Sequence, residues 1–407
     1  MSDKQRKIFK IIVIVLSVIL VTELIYFGVK YYINRQNSVF YTVFNSIVID
    51  DNDYIGVGFS DYRNSDFNEY SNGYNKATIF KYNSGKIVQE VGINVGYNSF
   101  FYDVIEVSDG YIAVGSAEMT DDQKDEKLSE GLIVKFDKEF NILWRKNISI
   151  LNKTELLKIE KLESGEFLVV GSSIYGEGYV GNHTTGGAIL LKFDKDGEEV
   201  FRTNYGGPYS GKFNDILVED DGYVAVGLGK SNSGIIVKYN LNGKIVWDAS
   251  YGATDENGIT AVDKLGNNYV VATTKVVNSK DLSNYQAAIV IFNDSGEKID
   301  DVKYSSSDIT CFSDLLVDND DNIIASGYTG KLNSDSVLNS DAIVVKFDKN
   351  LYEQDVKLLN GDNNDMFNKI YLNNNNYIVL GYSNSKIKGY NLNGYDYFPI
   401  IENYSFS

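Results

Sequence analysis

The chain carries one cysteine and one histidine in 407 residues. A lone Cys closes no intramolecular disulfide and builds no thiolate zinc site. A lone His excludes every site that needs two imidazoles, the HExxH type included. Only two prolines occur, which suits a chain of strands, because Pro removes a donor from the ladder. Basic residues are also short. Residues 31–407 hold 33 Lys/Arg against 54 Asp/Glu, a net of −21 within a whole-chain charge of −18. Such a domain repels phosphate backbones, which argues against nucleic acid as a partner. Apolar residues at 43 % and charged residues at 23 % describe a globular chain, not a disordered one.

Against these absences stands one long apolar run. Ile8 to Val29 is interrupted only by Lys10, Ser17, Thr22 and Glu23. As a helix it would reach about 33 Å, enough to cross a hydrocarbon core of about 30 Å. Lys4, Arg6 and Lys7 precede it and Lys10 stands in its first turn, so the N-terminus is expected inside and the rest outside. Glu23 lies near the outer end, where its carboxylate can snorkel. No small-x-small cleavage site follows before Tyr31-Tyr32, and the run is long for a signal peptide. The expected organisation is a cytoplasmic tail (1–7), a transmembrane signal anchor (8–30), a linker that includes a ring-closing strand at Val39–Thr42 (31–43), and a folded domain (44–407). Membrane is therefore one expected partner.

The folded part is a repeat. The pattern aromatic-aliphatic-small-Val-Gly recurs as YIGVG to Gly58, YIAVG to Gly115, FLVVG to Gly171, YVAVG to Gly227, YVVAT to Thr273, IIASG to Gly327 and YIVLG to Gly381. Upstream of it stand segments such as FYDVIEV from Phe101 and FNDILVE from Phe213; downstream stand GLIVKFD from Gly131 and AIVVKFD from Ala342, then segments such as KIVWDASYG from Lys244. These short β-branched and aromatic runs, divided by Gly/Asp/Asn turns, read as four strands per copy. Seven copies of about 50 residues predict a seven-bladed β-propeller, an all-β fold preceded by one transmembrane helix. The last copy offers only three strands before Ser407.

Strand order then sorts the loops. The 1–2 and 3–4 connections are tight turns, whereas the 2–3 loops (59–76, 116–130, 172–187, 274–286, 328–340 and about 382–396) are long and unlike one another; only 228–233 is short. All of the long ones fall on one face, which makes that face the candidate binding surface.

The unit reads F-x-D-[IV]…D-G-Y-[IV]-A-V-G…V-K-F-D-x-x-G-x-[IV]-x-W…Y-G. Its best stretch runs from Gly181-Asn182-His183 to Asn204-Tyr205-Gly206-Gly207. It resembles the repeats of bacterial secreted and membrane-anchored β-propellers of the quinoprotein-like (PQQ-type) superfamily, over residues 44–407. The resemblance implies an extracellular scaffold or binding role. Quinoprotein dehydrogenases of that superfamily carry a tryptophan docking motif; here Trp144 and Trp247 hold its place, with Phe201 in the third unit.

Candidate site residues fall into two sets. Asp103, Asp215 and Asp314 recur at the start of the first strand, where Ser46, Lys158, Thr260 and Lys369 stand in other units. As a carboxylate cluster at the channel mouth they would suit Ca²⁺; as structural residues they would accept hydrogen bonds from turn N–H groups, the favoured reading. On the loop face, Tyr62, Tyr70, Tyr74, Tyr175, Tyr179, Tyr209, Tyr285, Tyr382 and Tyr390 offer rigid amphipathic contact area, with His183 among them as a loop residue. Cys311 reads as a buried small apolar residue. The acidic runs Asp121–Glu130 and Asp318–Asp321 lack full Ca²⁺-loop spacing. No cofactor and no catalytic set is identified. The expected function is a membrane-anchored extracellular scaffold that binds a protein or glycan. The alternative is a carbohydrate-active hydrolase or lyase, or a degenerate quinoprotein-like enzyme; for a hydrolase, paired carboxylates about 5–10 Å apart beside aromatics are required.

Overall fold

The computed structural model describes residues 42–50, 53–61, 75–120, 127–175, 186–207, 211–229, 233–252, 258–276, 285–332, 338–385 and 398–406. Among these are 27 β-strands and no helix. No helix of the described residues is long and apolar enough to cross a membrane; the run 8–29 lies outside them. The strands form consecutive antiparallel meanders over 42–93, 98–148, 153–205, 212–251, 259–304, 309–359 and 365–404, numbered one to seven below. The first six have four strands each and the last has three. Single parallel bridges, Ser129 to Lys153 and Tyr285 to Ile309, join two neighbouring pairs into eight-stranded sheets. The first strand of each meander lies beside the first strand of the next, and that of meander seven lies beside that of meander one. The result is an all-β, propeller-like ring about a common axis.

The core lies between meanders, because each sheet buries both faces against its neighbours. Ile55, Val57 and Ile79 of meander one pack on Phe101 and Phe136 of meander two. Val224, Val226 and Ile236 of meander four pack on Ile259 and Tyr269 of meander five. The same arrangement closes the circle, where Phe44 and Phe80 of meander one meet Ile378 and Leu380 of meander seven. Second and third strands are therefore apolar almost throughout, as in Phe167–Ile174 and Gly234–Asn240. Fourth strands alternate exposed and half-buried residues because they form the outer wall.

A one-residue bulge interrupts every first strand. It falls between Phe44 and Ser46, Phe101 and Asp103, Leu156 and Lys158, Phe213 and Asp215, Ile259 and Ala261, Phe312 and Asp314, and Phe367 and Lys369. The bulge explains the repeated glycine. It presses the carbonyl of the preceding residue onto the second strand, so that a Cβ on Gly227 would stand 2.0 Å from the Lys212 oxygen. On Gly115 it would stand 1.8 Å from the Phe100 oxygen. In meander five Thr273 occupies this place and donates its hydroxyl to the same carbonyl, that of Gly258, at 3.1 Å. The glycine thus sits inside the second strand, not at its end. Strands two and three also run on beyond the expected boundaries. Ala117–Thr120 pairs with Lys127–Glu130, and Tyr328–Leu332 with Leu338–Ala342. These hairpin extensions consume much of the expected 116–130 and 328–340 loops.

The turns between third and fourth strands share one geometry. Asp137, Asp194, Asn240, Asn293 and Asp348 each accept the N–H groups two and four residues on through Oδ1. Gly197, Gly243 and Gly296 then take positive φ, and Trp144, Phe201 and Trp247 of the preceding meander lie on them. Where the preceding meander offers Gln89 or Asp300 instead, the turn carries Phe140 or Leu351 at φ 68° and 65°. Small turn and large docking residue, or the reverse, fill the same space. Thr42, expected in a ring-closing strand, belongs to the innermost strand of meander one and pairs with Ser60; Val39–Tyr41 lie outside the described residues.

Gly227→Ala is expected to lower the unfolding free energy by about 2 kcal/mol through overpacking against the bulge. Gly207→Ala, where among the described residues a Cβ meets nothing within 4 Å, is expected to stay within about 0.5 kcal/mol of the parent. Denaturant titration of the two variants measures the difference.

Candidate functional site

The bulges turn two successive side chains of each first strand toward the axis, and these form two tiers. In the upper tier the bulged residues reach to the next meander. Asn45 Nδ2 donates to the Phe101 oxygen at 2.6 Å, Asn214 Nδ2 to the Ile259 oxygen at 2.8 Å, and Thr260 Oγ1 to the Phe312 oxygen at 3.0 Å. In the lower tier the recurrent aspartates accept from it. Asp103 takes the Ile159 N–H, Asp215 the Val262 N–H and Asp314 the Ile370 N–H, each at 3.0 Å. Asp263 takes the Val317 N–H at 2.7 Å, and Ser46 donates to Asp103 at 2.5 Å. Meander seven has Lys369 at this level, and there the Tyr371 hydroxyl, one step along the strand, accepts the Ile47 N–H of meander one at 3.0 Å. Between meanders three and four the link is an ion pair, Lys158 to Asp215 at 4.0 Å.

Two cavities lie along this axis. The larger, about 770 Å³, opens among the bulged residues on the face of the 2–3 connections. Tyr102, Tyr285, Tyr328, Leu157, Ile309 and Phe312 supply its apolar surface. Asn45, Asn214, Asn368, Thr260, Thr274 and Ser313 supply amides and hydroxyls, and Lys212 and Lys369 ammonium groups; no carboxylate is among the described lining residues. The smaller, about 350 Å³, lies at the level of the aspartates and is lined by Asp103, Lys158, Glu160, Asp215, Asp263, Asp314, Lys369 and Tyr371 with neighbouring aliphatics.

Charges in the lower chamber are mutually held. Lys158 stands 2.8 Å from Glu160 and 3.5 Å from Asp103. Burial works against its charge, but Asp103, Glu160 and Asp215 hold the ammonium well above its usual range. Burial likewise disfavours the Lys369 charge, which Asp314 and the other carboxylates keep raised. Burial pushes Glu160 and Asp263 up, and pushes Asp314 up to about 6. The Tyr371 hydroxyl is pushed up to about 12, again by burial.

The expected site residues divide accordingly. Asp103, Asp215 and Asp314 do approach one axis, at 3 %, 7 % and 7 % exposure, but they line the lower chamber, not the mouth. They accept backbone N–H groups as expected of structural residues; the donors are strand amides of the next meander, not turn amides. The counterpart of these aspartates in meander five is Ala261, while Thr260 takes the bulge. Two lysines stand among the carboxylates, and no group of three or more potential metal ligands occurs among the described residues. Asp318 is an Asx-turn acceptor for the Asp320 and Asn322 N–H groups and also binds the Tyr377 hydroxyl at 2.7 Å. Tyr285 lines the mouth cavity. Tyr382 turns its hydroxyl to Met366 Sδ, and Tyr175 is half-buried after its strand. Tyr62, Tyr70, Tyr74, Tyr179, His183, Tyr209 and Tyr390 lie outside the described residues. Cys311, expected inside, is half-buried and lines the mouth.

Tyr102, Tyr328 and the asparagines of the mouth escaped the sequence reading. For Tyr102 and the asparagines the signal is the residue that follows the first-strand Phe: simple alternation turns it outward, and only a bulge brings both it and the next residue to the axis.

No family model and no curated protein matches the chain. The resemblance to quinoprotein-like propellers therefore rests on the repeat motif alone. Solved structures do share the general form. Sqt1 from Chaetomium thermophilum is similar at 9 % identity and a TM-score of 0.47, over 90 % of this chain and 97 % of that one. A putative 6-phosphogluconolactonase from Bacteroides uniformis is similar at 11 % and 0.46, over 87 % and 95 %. The β-propeller domain of the Trilobed protease from Pyrococcus furiosus is similar at 10 % and 0.39, over 71 % and 79 %. With scores below 0.5, none of these bears on the chemistry of this chain.

The Asp314 shift has a testable sign. Its carboxyl binds a proton more tightly in the folded chain, at about 6 against an ordinary 3.8. Its contribution to stability therefore rises as pH falls from above 6 toward 4, and ionised Asp314 is a net cost at pH 7.5. Asp314→Asn keeps an acceptor for Ile370. It is expected to melt higher than the parent at pH 7.5 and to converge with it near pH 4.5. Thermal melts across this range measure the gap, and a gap independent of pH contradicts the assignment.

Proposed function

We propose that the ring is a seven-bladed propeller, carried outside the cell membrane by the apolar run 8–29, and that it binds a glycan segment in the mouth of its axial channel. The observation that carries the binding reading is the mouth cavity itself. Its volume of about 770 Å³ suits a small ligand or a short stretch of a chain. Its lining of tyrosines, amides and hydroxyls provides flat apolar faces for sugar rings and paired donors and acceptors for their hydroxyls.

The hydrolase alternative requires a carboxylate pair beside aromatics. The described lining of the mouth has none, and the aspartates below it are engaged with amides and lysines. Binding without catalysis is the better reading of this geometry. The tether supports a role at the cell envelope, and the net of −21 outside supports partners other than nucleic acid or an anionic surface.

Full-length chain in detergent micelles, probed with an array of neutral and acidic oligosaccharides, tests the proposal. A recovered glycan is expected to lose at least about tenfold in affinity when Tyr328 is changed to Ala, a loss typical of a truncated aromatic anchor. The melting profile of the variant serves as a check on folding. Binding unaffected by Tyr328→Ala and by Asn214→Ala would place the glycan elsewhere. An array without hits, together with recovery of a protein on the same mouth residues, would replace the glycan by a protein partner.

A further inference from the structure

We infer that the sugar held in the mouth is an acidic one, whose carboxylate meets the ammonium groups of Lys212 and Lys369. The inference rests on the reading of the mouth as a glycan site and names the class of glycan.

Charge at the mouth runs against that of the chain. Acids outnumber bases by 56 to 38 overall, yet the described lining of the cavity holds two lysines and no carboxylate. The repeat shows how this arises. Lys212 stands directly before Phe213, a place held in the other meanders by Val43, Phe100, Glu155, Gly258, Cys311 and Met366. Of these only Cys311 lines the cavity. Lys212 is exposed, and Asn214, two residues on, lines the same wall. Lys369 enters from meander seven. It takes the level at which Asp103, Asp215 and Asp314 stand in their meanders, directly after Asn368 of the mouth. Half-buried there, it lines both the mouth and the chamber below.

Neither ammonium is matched by direct contact. Lys158, the third cation near the axis, stands 2.8 Å from Glu160 and 3.5 Å from Asp103. Among the described residues no carboxylate comes within ion-pair distance of Lys212 or Lys369. Asp314 acts on Lys369 through space, while its Oδ2 accepts the Ile370 N–H. An ammonium carries three donors and no acceptor, so an oxyanion entering the mouth finds donors that the ring has not used. The amides of Asn214 and Asn368 stand beside them.

The rest of the site selects among oxyanions. No arginine lies among the described lining residues, and the described chain has no helix. The forked and helix-terminal modes of phosphate recognition are therefore absent from the described wall. The net of −21 outside opposes a doubly charged phosphate more than a singly charged carboxylate. Salt at about 0.15 M screens that field beyond about 8 Å, so contact with two ammonium groups outweighs it for one carboxylate. A long polyanion has no such compensation outside the mouth. The geometry therefore favours a glycan with an isolated acidic residue, its neutral rings lying on Tyr102 and Tyr328.

The test titrates the full-length chain in detergent micelles with short oligosaccharides that carry one glucuronic, one galacturonic or one sialic acid, each beside its methyl ester. The ester keeps the shape and loses the charge. At least one acid is expected to bind about tenfold tighter than its ester, the size of a charge-assisted contact, and the preferred acid separates uronic from sialic recognition. The preference is expected to shrink as salt is raised. Lys212→Gln is expected to reduce it about threefold, as for an accessible ion pair, and Lys369→Gln about tenfold. Should Lys369→Gln melt early, Lys369→Gln combined with Asp314→Asn removes the charge without leaving its neighbour uncompensated. Equal binding of acids and esters would overturn the acidic class and leave the glycan reading standing. A preference that survives both lysine variants, or a stronger one for sulfated or phosphorylated forms of the same sugars, would overturn the assignment. Absence of binding by every sugar, acid or ester, would remove the glycan reading as well.

Discussion

The ring depends on the bulge in each first strand. Side chains of a regular strand alternate between faces, so one strand could aim a single residue per pleat at the axis. The extra residue sends two in succession inward. One donates to a carbonyl of the neighbouring meander, as Asn45, Asn214 and Thr260 do. The next accepts a neighbouring amide, as Asp103, Asp215 and Asp314 do. Backbone groups that face the channel would otherwise be buried without partners, at roughly 1–3 kcal/mol each. The bulge therefore fixes the stagger of the meanders, the glycine opposite it, and the chemistry of the channel at once.

A second set of contacts secures the opposite face. Tyr111, Tyr269 and Tyr377 of meanders two, five and seven donate to Asp50, Glu219 and Asp318 of the meander before, at 2.6, 2.8 and 2.7 Å. Where Phe167 and Ile323 replace the tyrosine, the preceding meander offers Val107 and Leu265, and the contact becomes apolar. The repeat tolerates variation because the partners vary together. The two tiers also separate function from support. The mouth keeps neutral donors, acceptors and aromatic faces beside Lys212 and Lys369, while the carboxylates below it are consumed in holding the ring.

Much of this was legible in the sequence. The period, the four short strands per unit and the tight Asp/Asn-Gly turns follow from local rules: β-branched runs, φ > 0 at the turn glycine, and an Asx acceptor two residues before the turn. The inward approach of Asp103, Asp215 and Asp314 was legible as well, because the same residue type recurs at one place in the unit. The level at which they sit was not. Phe-x-Asp reads as alternation, which hides the bulge and with it Tyr102, Asn214 and Asn368. Tyr328 was missed for a related reason. It lies on a strand extension beyond the glycine that the motif seems to end on, and only pairing with neighbouring strands shows that the ladder continues.

The sequence by itself determined that this chain is a repeat of antiparallel strands lacking the means for disulfide, thiolate-zinc or paired-imidazole chemistry. Those conclusions need only composition, period and turn propensity, all local properties. Tertiary structure decided which residues meet. Lys158 faces Asp103 and Asp215 because the ring brings residues about 55 positions apart in sequence to one axis. Mouth and chamber lie at different depths because a bulge shifts the register by one residue. Gly243 can be small only because Phe201 of the meander before fills its place. Each of these is a relation between neighbouring units, and a strand has no knowledge of its neighbour until the ring is closed.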